Sequence, residues 1–121
     1  MRAIIFVVLL CGMLFGCATA PTPDQNLANE LAYCGWLGKD LAKSDPKYDK
    51  PSTAFVGFAT ALTSQDYLVR AMMNDTRMDN IAKLPQKDKE NEFTRCQSLV
   101  QQNWPQINAA LARTYGTPKS P

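Results

Sequence analysis

Few residues in this chain have the types and spacing that chemistry requires, and the gaps exclude whole mechanisms. Histidine is absent, which removes the commonest general base, the serine and cysteine triads and most catalytic zinc sites together. No glycine-rich phosphate loop occurs, and Gly57 stands alone. Asp66, Asp75 and Asp79 are the candidate carboxylates for acid/base work. An acid/base pair would need two of them facing one cleft with separated pKa values, and each has a simpler role as a helix-capping residue. Met72, Met73 and Met78 could line a metal site or an adaptable peptide groove, but methionine at helical spacing more often packs in a core, and the core reading is taken here. No catalytic residue, metal site or cofactor is therefore expected, and the chain is not read as an enzyme. What remains are the cysteines Cys11, Cys17, Cys34 and Cys96 and the aromatic pair Tyr33 and Trp36.

Cys17 takes its meaning from what precedes it. One positive charge, Arg2, is followed by an apolar run from Ala3 to Leu10, extended through Met13-Leu14-Phe15, and then by small residues. That is the layout of a secretory signal, and the run is short for a permanent membrane span. Its end, Leu14-Phe15-Gly16-Cys17, resembles the lipobox of bacterial lipoproteins. The resemblance covers about twenty residues and implies cleavage after Gly16, a diacylglyceryl group on the Cys17 sulfur and acylation (palmitate) of its new amine. The competing cleavage after Ala18-Thr19-Ala20 would leave Pro21 first, and proline directly after the scissile bond is poorly tolerated by the ordinary signal peptidase. Because Ala18 is not aspartate, the sorting rule of that family implies an outer-membrane anchor facing the periplasm.

In such an oxidising compartment Cys34 and Cys96, an even pair, read as a disulfide. Their separation suits neither a metal nor a redox dithiol, which need clustered ligands. Of 13 basic side chains, loss of Arg2 leaves 12 against 11 acidic ones. A nearly neutral domain without like-charge runs argues against nucleic acid as a partner. The reading divides the chain into a signal peptide over 1–16, the lipidated cysteine and a short linker over 17–23, one domain over 24–116 and a loose tail over 117–121. Ala18 to Pro23 is small and proline-rich. Six residues reach roughly 20 Å, part of it spent crossing the headgroup layer, so the domain is expected to work close above the membrane.

The elements that must position these residues are helical. Leu27, Leu31, Cys34, Gly38 and Leu41 fall within about 80° of arc on a helix running from an Asp24 N-cap to Lys43. Cys34 is centred on that stripe, Trp36 points the opposite way and Tyr33 lies on the flank. Pro46 to Pro51 reads as a loop. A second helical region spans Thr53 to Asn74, with Phe55, Phe58, Ala59, Leu62, Val69 and Met73 on one face and Ala61, Leu68 and Met72 on another, which predicts a position at the centre of a bundle. Asp66 falls on its main stripe. Either Asp66 is buried and functional, or the helix breaks and Asp66 closes a capping box with Thr63; the capping reading is preferred. Thr76-Arg77-Met78-Asp79 repeats the pattern and predicts a short helix ending at Pro85. Phe93, Cys96, Val100, Trp104, Ile107 and Leu111 form the stripe of a long last helix, solvated over Gln86 to Asn91, kinked by Pro105 near Gln101 and ended by Gly116. Strand signals are missing. The expected fold is all-α: a small disulfide-stapled bundle of four or five helices following a lipoprotein signal peptide.

Two functions fit such a molecule. In size, anchor, helix content and single disulfide it looks like the helical pilotins, small lipoproteins that escort secretins; the likeness is of architecture and shares no motif. It implies a protein-binding or assembly module whose partner is an envelope protein. The alternative is an immunity, exclusion or inhibitor lipoprotein acting on an envelope enzyme or toxin. In either case the expected partner surface is the outer face of the first helix around Tyr33 and Trp36, since aromatics left on a polar face are enriched where proteins meet partners or membranes.

Overall fold

The computed structural model describes residues 21–116; Cys17 and its lipobox lie outside them, as do Cys11 and the tail over 117–121. Helix α1 (Pro23–Ala42) starts two residues earlier than its sequence pattern predicts. Thr22, not Asp24, is its N-cap: the Thr22 hydroxyl accepts from the Gln25 amide at 3.1 Å, and the Gln25 side chain accepts from the Thr22 amide at 2.9 Å. This reciprocal box satisfies two otherwise orphaned donors, and Pro23 fits the first turn because it has no N–H to satisfy. Asp24 is instead a tie to the far end of the chain, accepting from Gln106 at 2.6 Å.

The rest follows as a 3-10 turn (Pro46–Tyr48), α2 (Asp49–Leu62), α3 (Gln65–Asn74), a 3-10 segment (Met78–Lys83), α4 (Gln86–Gln102) and α5 (Trp104–Tyr115). The fold is an all-helical bundle, with no strand among the described residues. The stretch expected as a loop through Pro51 is shorter than predicted, because Asp49 to Pro51 already form the first turn of α2.

At the centre stands α1, not the second helical region. Around the predicted stripe, burial extends to Ala28 and Ala32 on one side and to Leu37 and Tyr33 on the other, about 260° of arc at 100° per residue. Small residues make this possible. A Cβ at Gly38 would collide with the Ser52 side chain and lie 2.8 Å from Phe93 Cε2, and one at Gly35 would lie 2.5 Å from Val56 Cγ2. These two glycines let α2 and α4 close on α1. Phe93 of α4 fills the space beneath, edge-on to Tyr48 at 4.9 Å and to Phe55 at 5.4 Å.

Two links fix α4 to α1. Cys34 and Cys96, both fully buried, form the disulfide with Cα atoms 5.8 Å apart, so the two stripes face each other as their spacing required. Two turns away, Lys89 donates to Asp40 at 2.6 Å with both side chains largely buried. The Lys89 ammonium, hydrogen-bonded to Asp40, holds that carboxyl below the usual aspartate range.

The second helical region is two helices. Thr63 leaves helical geometry, and Ser64, not Thr63, caps α3 by accepting from the Tyr67 amide at 3.2 Å. Asp66 is exposed in the first turn of α3, where the helix dipole favours a carboxylate. The end of the chain is also broken rather than kinked: α4 stops at Gln102, and α5 begins at Trp104 with Pro105 in its first turn. Trp104 consequently leaves the predicted stripe and is 44% exposed, its ring edge-on to Phe58 at 5.9 Å, while Ile107 beyond the break remains buried. Gly116 ends α5 at φ +84°, a conformation side-chain-bearing residues avoid. Among the described residues no helix is long and apolar enough to cross a membrane.

Candidate functional site

Trp36 is the one α1 residue over its middle turns that burial leaves out, at 56% exposed. One turn before it, Ala32 is buried. The small side chain opens a floor beside the indole, because residues four apart are neighbours on a helix face. Across this floor α2 contributes Val56 and Thr60, and α3 contributes Leu68, Val69, Met72 and Met73; Met78, at the start of the second 3-10 segment, closes the end. The resulting groove has a volume of about 660 Å³ and no charged residue in its walls.

The exposed apolar side chains of this protein are not scattered. Of the six large ones among the described residues, Trp36, Val56, Val69 and Met73 line this groove; Trp104 and Tyr115 do not. Single exposed apolar residues are ordinary on any surface, whereas a contiguous patch marks a site of contact. The break at Thr63 and Ser64 produces the patch. By resetting the helical phase, it turns Leu68 into the core while Val69 and Met73 face outward at 53% and 81% exposure. Val69 and Met73 were expected on the core face, and the structure corrects that assignment. The stripe cannot be carried from Phe55 to Met73 across an interrupted helix. The Thr63-Ser64 break was the signal that could have found them; nothing in the sequence brings Val56 to Trp36.

Beyond Trp36 and Met78 the surface continues into a smaller recess lined by Lys39, Asp40, Lys43 and Ile81. This end is basic. Lys39 bonds Asp49 at 2.7 Å, Asp40 is occupied by Lys89, and Lys43 approaches Asp40 only at 3.5 Å with a highly exposed side chain. Three ammonium groups thus meet two carboxylates.

Tyr33 is not part of this surface. It is 5% exposed, on the other flank of α1, with the Arg77 guanidinium 4.3 Å from its ring centroid. The predicted outer-face pair is therefore separated: Trp36 faces the groove, and Tyr33 is roofed by the segment after α3. Burial pushes the Tyr33 hydroxyl above the usual phenol range.

Arg77 also accounts for the acidic residues that could have formed a reactive pair. Its Nη2 donates to Asp75 at 2.8 Å and its Nη1 to both Glu30 oxygens at 3.1 Å. A polar depression of about 540 Å³ beside it holds Asn26, Asn29 and Asn74, but its two carboxylates already share one guanidinium. The Arg77 side chain, donating to Asp75, holds that carboxyl below its ordinary value. Asp66 and Asp79 lie on the surface apart from it. Among the described residues no three His, Cys, Asp or Glu side chains gather to hold a metal.

Comparison with known families, characterised proteins and solved structures finds no match to this chain.

Proposed function

We propose that this protein is a lipid-anchored, pilotin-like binding module of the cell envelope, held at the periplasmic face of the outer membrane through Cys17, and that it receives an amphipathic helix of a partner protein in the Trp36 groove. The observation that carries the reading is the clustering of Trp36, Val56, Val69 and Met73 around one uncharged groove on a disulfide-stapled body. Tryptophan is the residue most enriched among those that dominate interface energetics, and methionine adapts to differently shaped occupants.

The chemistry of the walls selects the occupant. With only helices described, there is no sheet edge to pair with an extended strand. An extended peptide pressed against apolar side chains would lose water from its backbone groups and gain nothing in return. A helix satisfies its own backbone and can present an apolar ridge at i, i+3/i+4 and i+7. The basic recess beyond Trp36 adds a polarity, favouring acidic residues at the end of the ridge that reaches Lys39 and Lys43.

The test is Trp36→Ala beside Val69→Asp. Both positions are more than half exposed, so the variants should keep the thermal midpoint within a few degrees and lose recovery of the partner from membranes. Loss of a central interface tryptophan typically costs about 2 kcal/mol or more, some thirtyfold in affinity. Unchanged recovery by both variants would overturn the assignment of the groove.

A further inference from the structure

We infer that Met73, flanked by Met72 and Met78, makes the groove an oxidation-sensitive surface, in which conversion of its thioether to the sulfoxide releases the apolar occupant without unfolding the bundle. The inference rests on the groove being the binding site proposed above. Every methionine among the described residues lines this one groove. The two cysteines of the described residues are fully buried and joined to each other, so these thioethers are the sulfur atoms open to an oxidant there. Met73, at 81% exposure, is the first within reach, and Met72 and Met78 are half-buried.

The oxidant is a hydroperoxide or hypohalous acid. With hydrogen peroxide, the sulfur lone pair attacks one oxygen, the O–O bond breaks and hydroxide leaves. Loss of the hydroxyl proton from the sulfonium then gives the sulfoxide and water, with sulfur oxidised by two electrons and the peroxide reduced by two. The product has a strongly polar S–O group on a side chain that was apolar.

The effect on binding follows from the walls. In an empty groove the new oxygen is solvated. Under an apolar occupant it loses that water, and the groove has little to replace it with: the Thr60 hydroxyl already donates to the Val56 carbonyl at 2.8 Å, leaving the Gln65 amide and the Trp36 indole N–H at the margins. An unpaired polar group buried on binding weakens the bound state selectively. Met73 touches solvent on most of its surface in the free protein, so its oxidation leaves the fold alone. Reduction of the sulfoxide restores the surface.

The test uses the folded, disulfide-intact protein with Nile red as the apolar probe. Reduced protein should bind the dye, and Trp36→Ala should weaken that binding; equal binding by both would show that the groove is not the dye site and overturn the binding reading itself. Mild peroxide treatment should add one oxygen at Met73 before the other two, as followed by peptide mass mapping. Oxidation confined to Met73 should weaken dye binding several-fold with unchanged far-ultraviolet circular dichroism, and methionine sulfoxide reductases should reverse it. Met73→Gln, a polar substitution at an exposed position, should weaken binding several-fold without peroxide, and Met73→Leu should bind normally and lose the fast phase of sensitivity. Oxidised protein that binds the dye as tightly as reduced protein, or that loses it only together with its helical signal, would overturn the switch while leaving the groove in place.

Discussion

At the scale of single residues, Gly38 and Asp40 are two positions at which a small change meets the packed interior directly. A Cβ at Gly38 meets Ser52 and Phe93 on two sides, and Ser52 is itself fully buried and hydrogen-bonded to the Tyr48 carbonyl. Overpacking of this kind usually costs about 1 to 3 kcal/mol. The gain in helix propensity from Gly to Ala offsets about 1 kcal/mol of that, so Gly38→Ala should destabilise by up to about 2 kcal/mol net. Chemical denaturation would measure the difference. Asp40 gives a pH dependence whose sign is fixed. Its carboxyl is held below the ordinary value by the Lys89 hydrogen bond, so the folded state binds a proton less readily than the unfolded chain. The contribution is fully present above about pH 4, the unfolded aspartate value, and fades as the pH falls through the lower folded value. Asp75, bonded to Arg77, shifts in the same direction. Thermal midpoints followed from pH 7 down to pH 2 should hold level to about pH 5 and then drop; Asp40→Asn should be less stable at neutral pH and show a shallower acid limb. An acid limb as steep in the variant as in the parent would assign the effect elsewhere.

Among the elements, α1 and α4 are the pair whose joint is covalent. The Cys34–Cys96 bridge closes a loop with a sequence separation of 62. By the chain-entropy argument, closing a loop of that length contributes about 4 kcal/mol. That is a large part of the stability of a domain this size. Cys34→Ala/Cys96→Ala should lower the denaturation midpoint strongly while the pattern of helices persists, and native protein should show no alkylatable thiol at either position. The junction of α2 and α3 has a smaller but separate role. Ser64→Ala removes the cap that accepts from Tyr67, at a typical cost of about 1 kcal/mol. The same break sets the outward phase of Val69 and Met73, so this variant tests whether groove binding weakens more than stability does. The Lys89–Asp40 pair supports the same joint from within. Its partners are both mostly shielded, so removing one leaves an unpaired charge, which costs more than the intact pair contributes.

At the scale of the whole molecule, the proposed anchor and the proposed binding groove would act together. Tethered through Cys17 by the few residues before α1, the body would stay within about 20 Å of the membrane and present the groove to proteins at that surface. Intact mass of protein extracted from membranes should begin at an acylated Cys17, and Cys17→Ser should release the protein or leave its precursor unprocessed. A mature N-terminus at Pro21 would refute the anchor. Without the anchor the groove should still bind its partner in solution, because Trp36 and the walls around it belong to the folded bundle alone.

What the sequence settled by itself was the kind of fold and the pairing of its two domain cysteines. Periodicity is a local property: it identifies the apolar face of each helix, and Cys34 and Cys96, the even pair that remains in the domain, each lie on such a face. Punctuation was legible in part, because it depends on backbone chemistry within a few residues: the ending at Gly116 was expected, the break near Thr63 was one of two alternatives with the cap one residue off, and Pro105 was expected to kink a helix that in fact stops at Gln102. Tertiary structure alone decided that α1 is central, since its small residues matter only for the neighbours that approach them. It alone placed Arg77 over Tyr33, forty-odd residues away in the chain, and removed that ring from the surface. The groove belongs to the same class of fact. Trp36 stood out in the sequence as an aromatic on a polar face, but its partners Val56, Val69 and Met73 come from helices whose phases are set by a break between them and whose approach is set by packing. A surface assembled from three separate helices has no period of its own for a sequence to display.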